Sequence, residues 1–190
     1  ISLLKRGGVA VVPTDTVYGL IADATRIAAV RNIMRMKMRS RSKAFPLFVR
    51  DIPMARQYAV IDAKLWRMLE RLWPGQTTVI VRKREAVPDI VTGGHRTVGL
   101  RVPDHPFLDK VLTAFPRPLI GTSANLSGSE PASSGIEVQK TFRRQVPRPD
   151  CLVDAGRLPP SPPSTVVDLL NPDRPQIIRM GAVTKEKFDE

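Results

Sequence analysis

An α/β fold with a mixed sheet is predicted for this chain of 190 residues by three observations. Short apolar runs rich in β-branched residues alternate with stretches whose apolar positions recur every three to four residues. Some connections between the runs are too short for a crossover helix, which points to antiparallel neighbours among the strands. The 18 prolines, about twice the usual ~5% share, are spread along the chain and divide it into many short elements.

In chain order, the first strand is expected at 9–12, an apolar run halted by Pro13, which has no N–H to extend a ladder. Over 26–38, Ile27, Val30, Ile33/Met34 and Met38 recur at helical spacing, while Arg31 and Arg35 share the opposite face. Asp62 is placed to cap a helix over 62–72 that buries Leu65, Leu69 and Leu72. Strands at 77–81 and 98–102 come next, then a helix over 106–115 and a strand at 119–122. A helix over 134–143 takes Ser133 or Ser134 as its N-cap. Strands at 151–153, 165–169 and 176–179 complete the set. Residues 157–164 (RLPPSPPS) hold four prolines and predict an extended polyproline-like loop. Strand-like sequence resumes at once after it, so a single domain over 1–190 is expected.

With 42% hydrophobic and 25% charged residues the chain falls in the ordinary globular range and is long enough for a real core. One cysteine, Cys151, excludes an internal disulfide framework and fits a reducing compartment. No run approaches the ~18 apolar residues of a membrane span and no leader-like pattern is visible. A cytoplasmic location without a membrane partner is expected.

Thirty Lys+Arg face 18 Asp+Glu, a formal net charge of +12. The excess is uneven: residues 1–95 carry 17 basic and 7 acidic side chains, residues 96–190 carry 13 and 11. Within 26–43, Arg26, Arg31, Arg35, Lys37, Arg39, Arg41 and Lys43 meet no acid at all. Such a patch is either a solvated basic face or the seat of an anionic partner, whether nucleotide, RNA or membrane surface.

The common nucleotide and hydrolase signatures, G-x-x-x-x-G-K-[ST], G-x-G-x-x-G and G-x-S-x-G, are absent. His95, His105 and Cys151 are too few and too scattered for a zinc site. The chain has hydroxyl-rich strand ends instead. In VVPTDTVYGL (11–20), Thr14, Asp15, Thr16 and Tyr18 follow an apolar strand, a place where α/β proteins bind ligands. PLIGTSANLSGSEP (118–131) repeats the arrangement with Thr122, Ser123 and Asn125, neutral groups suited to phosphate or carboxylate oxygens. PPSTVVD (162–168) sets Ser164 and Thr165 before a strand, and IIRMG (177–181) ends one with Arg179. Arg101 stands in the apolar strand of TVGLRVP (97–103). A buried guanidinium without an anion is costly, so Arg101 meets either an internal acid or a ligand.

PTDTVYGL, a Lys-x-Arg after the first long helix (Lys37, Arg39), PGQTT, TVGLRVPDHP, TSANLSG, PSTVVD and IIRMG stand in the order found in the YrdC family, and the chain resembles that family from about residue 3 to 182. Its best-known members are threonylcarbamoyl-AMP synthases. The resemblance implies a twisted open sheet around a basic cavity, in the short form without an extra C-terminal domain. It implies condensation of L-threonine, bicarbonate and ATP, with Mg2+, into threonylcarbamoyl-adenylate and pyrophosphate. Partner proteins would then pass the threonylcarbamoyl group to tRNA.

Carried over by position, Lys37 and Arg39 are the implied catalytic cations. Lys37, Arg39, Arg41, Thr97, Asn125, Ser133 and Arg179 are the implied ATP contacts. Thr16, Arg101, Ser123 and Ser164 are the implied threonine contacts, and no protein side chain is assigned to the metal. The segment from Lys37 to Pro46-Leu47 is about two residues longer than the usual spacing, so Arg39-x-Arg41 also fits the Lys-x-Arg slot. Arg50 stands where many members carry a histidine that touches threonine. Two other functions fit the same residues: an RNA-binding or ribosome-assembly module using the basic concavity, and a diverged nucleotide-binding paralogue with another substrate.

Overall fold

A computed structural model describes residues 1–184. Residues 185–190, part of the expected single domain, lie outside the described residues. The strands are β1 (Ala10–Val12), β2 (Gly19–Asp23), β3 (Leu47–Phe48), β4 (Thr77–Arg82), β5 (Thr97–Arg101), β6 (Leu119–Ser123), β7 (Cys151–Leu152), β8 (Thr165–Asp168) and β9 (Gln176–Arg179). The helices are α1 (Ser2–Lys5), α2 (Ile27–Met36), α3 (Ile52–Tyr58), α4 (Ala63–Leu72), α5 (Asp89–Thr92), α6 (Pro106–Ala114) and α7 (Gly135–Phe142). All nine strands join one sheet in the order β7-β1-β2-β6-β3-β5-β4-β8-β9. Pairs β1/β7, β3/β5 and β4/β8 are parallel and the others antiparallel. The sheet is therefore mixed, as the short connections predicted.

The two-residue period of the strands divides the sheet into two faces. Val11, Leu20, Leu47, Val79, Leu100, Ile120 and Val167 point into the larger core, beneath α2, α3, α4 and α7. Ala10, Val12, Ile21, Phe48 and Leu119 point the other way, against Leu4 of α1 and Leu108 and Leu112 of α6. Among the described residues, nothing from β4, β5, β8 or β9 joins that second cluster. On this face the helical cover ends, and the alternation brings Thr78, Gly99 and Arg101 there. The cavity described below opens at that edge.

Local chemistry fixes the helix ends. Asp62 accepts from the Leu65 amide at 2.8 Å and starts α4, which buries Leu65, Met68, Leu69 and Leu72. Ser134, rather than Ser133, caps α7 by accepting from Glu137 N. The expected apolar stripe of α2 needs correction. Ala29, Val30, Ile33, Met34 and Met36 are its buried residues, whereas Ile27 and Met38 are exposed. The helix stops at Met36 because Met38 turns to φ 51° in the left-handed region, which reverses the chain and aims Arg39 away from the helix axis. Strand β2, the two-residue β3 and helices α1, α3 and α5 carry no periodic signal long enough to read.

Candidate active site

Eighteen residues from distant parts of the chain line a cavity of about 380 Å3. Three are arginines, Arg39, Arg101 and Arg179, and none is an acid. Thr14 and Thr16 come from the β1–β2 turn, Ser123 and Asn125 from the end of β6, and Ser164 from the start of β8. Larger hollows of about 600, 650 and 750 Å3 lie elsewhere, but none gathers cations and neutral donors from so many segments.

The turn 13–18 is held by Thr14. Its hydroxyl donates to Val17 O at 2.7 Å and accepts from the Thr16 and Val17 amides, and it lies 3.1 Å from the Thr16 hydroxyl. Thr16 is thus presented by a closed local network. Arg101 answers the dilemma its sequence context posed, because it both meets an acid and faces the cavity. Its Nη2 donates to Asp15 Oδ2 at 2.5 Å and its Nε to Gly75 O at 2.9 Å. Burial pulls its pKa down, the neighbouring Asp15 raises it, and the Arg179 charge lowers it again.

Arg179 donates to Ser164 O at 2.7 Å, and the Ser164 hydroxyl lies 3.0 Å from that of Thr78. Arg39 stacks over the Phe45 ring at 4.6 Å and donates to Lys43 O at 3.2 Å and Ala44 O at 2.5 Å. Burial lowers the pKa of both Arg39 and Arg179. Three partly desolvated guanidiniums around one carboxylate-free cavity make a strong anion site.

Lys37 is placed differently from the expectation. Only 2% exposed, it sits behind the cavity wall and donates to Ser123 O (2.5 Å), Asn125 O (2.8 Å) and Asn125 Oδ1 (2.8 Å). All three ammonium protons are engaged by protein oxygens, so here it is a strut for the 123–125 turn rather than a direct anion contact. The Ser123 hydroxyl completes the turn, donating to Asn125 Oδ1 at 2.6 Å, and the Asn125 amide donates to Ser129 O.

The chain matches the Sua5/YciO/YrdC family profile, described as "Telomere recombination", over residues 2–181. It belongs to that family. A mouse (Mus musculus) threonylcarbamoyl-AMP synthase is 36% identical over 185 residues, covering 94% of this chain and 64% of the relative. The structure of Pyrococcus abyssi Sua5 complexed with L-threonine superposes with a TM-score of 0.91 at 30% identity, over 99% of this chain and 54% of that one. Escherichia coli YciO superposes with a TM-score of 0.86 at 30% identity, over 98% and 89%. The chain spans about two thirds of the mouse protein, half of the Pyrococcus one and most of YciO.

Seven of the residues expected for a YrdC-type site meet in the cavity: Thr16, Arg39, Arg101, Ser123, Asn125, Ser164 and Arg179. Four do not line it. Besides Lys37, Arg41 lies in the 750 Å3 basic hollow with Arg31 and Arg35. Thr97 shares a sheet face with Arg101 but stands four residues away along β5. Ser133 donates to Glu137 Oε2 at 3.1 Å and accepts from Arg157 at 2.8 Å, at the start of α7. Arg50 is paired with Asp51 at 2.8 Å and lines another cleft.

The cavity is also lined by residues that sequence reasoning missed, Phe48 and Thr78 among them, and by Gly121, whose place in the 118–131 segment marks it for close backbone approach. Strand parity was the available signal, since Thr78 alternates with the buried Val79. Phe48 lies flat where a Cβ at position 121 would stand, with ring atoms Cε1 and Cε2 2.5 Å from it. Gly121→Ala should therefore push the ring toward the cavity, at about 1–3 kcal/mol of stability for overpacking. A thermal melt within 1 °C of the parent would contradict that packing.

Proposed function

We propose that this chain condenses L-threonine, bicarbonate and ATP into threonylcarbamoyl-adenylate and pyrophosphate. The observation that carries the proposal is the convergence of three arginines with the Thr16, Ser123 and Ser164 hydroxyls and the Asn125 amide on one carboxylate-free cavity. Superposition on a Sua5 complexed with L-threonine supports the amino-acid half of the reading.

In this scheme Arg101 takes the threonine carboxylate, leaving its amine free to form a carbamate with bicarbonate and release water. Thr16 and Ser164 bracket the amino acid. Arg39 and Arg179 hold the triphosphate, which bears roughly four negative charges; each charge-assisted bond contributes about 1.5–3 kcal/mol. A carbamate oxygen then attacks the α-phosphorus and pyrophosphate departs. Ser123 and Asn125 lie between the two substrates. The chemistry asks for alignment and cations where charge develops rather than a protein nucleophile.

Among the described residues no group of three His, Cys, Asp or Glu stands close enough to hold a metal ion. The donors present are those of a phosphate site, so Mg2+ would enter with the nucleotide rather than on protein ligands, and would supply charge neutralisation for the phosphates beside Arg39 and Arg179. Lys37 acts on the reaction through the 123–125 turn that it braces.

The adenylate is a reactive mixed anhydride, and transfer of its threonylcarbamoyl group to tRNA by partner proteins in the cytoplasm completes the reading. The basic hollow of Arg31, Arg35 and Arg41 adjoins the cavity through Arg39, which lines both. That shared wall favours RNA contact as a second reading, for which affinity would fall with salt at a log–log slope of about −0.7 to −0.9 per phosphate contacted.

Pyrophosphate release measured with ATP, threonine and bicarbonate, each omitted in turn, tests the synthase. Release should require all three, and Arg39→Ala should raise the KM for ATP by about 10- to 100-fold. Release that ignores threonine would overturn the assignment. Salt-sensitive RNA binding without nucleotide turnover would favour the second reading.

A further inference from the structure

Asp15 belongs to the PTDT turn but does not line the cavity. Its side chain is only 8% exposed and Arg101 is 4% exposed, so the two form a buried ion pair. A buried pair gains little stability, because desolvating both charges offsets their attraction. What this pair does provide is direction.

The guanidinium is held along two of its edges. Nη2 meets Asp15 Oδ2 at 2.5 Å and Nε meets Gly75 O at 2.9 Å, while the Phe48 ring lies 5.9 Å from the guanidinium carbon. Nη1 makes no hydrogen bond among the described residues and is left to the cavity. The carboxylate is fixed in turn: Oδ2 also accepts from the Asp104 amide at 3.2 Å, and the Asp15 carbonyl accepts from the Gln76 amide group. Gln76 further reaches the Ser161 hydroxyl at 3.3 Å, tying the same turn to the proline-rich loop. Asp15 Oδ1 is buried without a partner. An unpartnered buried oxygen contributes nothing to packing, but its charge keeps the guanidinium from swinging away.

We propose that Asp15 is the positioning residue for the substrate carboxylate: it orients Arg101 so that the open Nη1 edge presents a fork of N–H donors to an α-carboxylate. The inference rests on the synthase reading and deepens it by assigning how the amino-acid half of the site is aimed. An asparagine at position 15 keeps the shape and one neutral acceptor, yet loses the charge that makes this hydrogen bond about twice as strong as a neutral one. Arg101 would then sample orientations in which the fork misses its target.

Steady-state pyrophosphate release by Asp15→Asn, Asp15→Glu and Arg101→Met, alone and combined, decides this. Threonine-dependent turnover by the parent protein comes first; its absence would count against the synthase reading, and L-threonine titrated calorimetrically into the parent and Asp15→Asn proteins then decides the positioning role. In the kinetic arm, Asp15→Asn should raise the KM for threonine at least about tenfold and leave the KM for ATP within twofold. Asp15→Glu should recover part of the loss. In an Arg101→Met background, Asp15→Asn should cost nothing further, as expected for a residue that acts through its partner. The calorimetric arm should show the same tenfold weakening. Equal losses for both substrates, or an unchanged threonine KM in a folded Asp15→Asn protein, would overturn the proposal.

Discussion

Arg101→Ala is expected to lower kcat/KM for threonine by about two to four orders of magnitude, the largest effect of any single change in the cavity. The magnitude follows from two charge-assisted bonds at about 1.5–3 kcal/mol each, with tenfold in rate for every ~1.36 kcal/mol. Arg101→Lys should fall between the parent and the alanine variant, since an ammonium keeps the charge but loses the planar fork that matches a carboxylate. The truncation also leaves Asp15 as an uncompensated charge at 8% exposure, which destabilises a fold by about 3–5 kcal/mol. A melting curve separates the two consequences. Asp15→Asn combined with Arg101→Met removes both charges and should regain most of the lost stability without regaining activity. Normal threonine saturation in Arg101→Ala would show that the guanidinium does not bind the substrate.

Arg101 also illustrates how much of the site was legible in the sequence. An arginine inside an apolar strand must find an anion, so the residue could be picked out before its partner was known. The partner, Asp15, could not be: it lies 86 positions away, and only the run of pairings β1–β2–β6–β3–β5 across the sheet brings the two strand ends together. The hydroxyl-rich ends of β1, β6 and β8 were readable for the same reason as Arg101, because polar groups stop an apolar run. Gly121 was readable as a point of close approach, but Phe48, the ring that makes the approach, was not, because a two-residue strand such as β3 has no period. The basic run 26–43 was read as one patch, yet the structure divides it. The left-handed turn at Met38 sends Arg39 toward the cavity, leaves Arg31, Arg35 and Arg41 around the neighbouring hollow, and puts Lys37 underneath. Charge counting finds such a cluster, but backbone geometry decides which charges share a ligand.

Lys37→Met should lower kcat about 100-fold and cost stability, although the side chain does not itself line the cavity. Methionine fills a similar volume but leaves Ser123 O, Asn125 O and Asn125 Oδ1 without the donor they now share. Unsatisfied buried acceptors cost about 1–3 kcal/mol each before relaxation, and a displacement of about 1 Å in a positioning turn is enough for a 100-fold rate loss. The effect should also depend on pH in two opposed ways. Burial, and secondarily the charge of Arg39, bring the Lys37 ammonium down to about 7, against ~10.4 in an unfolded chain. Between those values the unfolded chain keeps a proton that the folded chain has released. The stability contributed by Lys37 therefore rises with pH above 7 and is lowest below it. Activity runs the other way, because only the ammonium has three protons for three oxygens and the neutral amine drops one. Between pH 6 and 9 the parent should gain melting temperature relative to Lys37→Met while losing kcat/KM for ATP near pH 7, a limb absent from the variant. Parallel pH profiles for parent and variant would mean that the proton on Lys37 does not govern the Ser123–Asn125 turn.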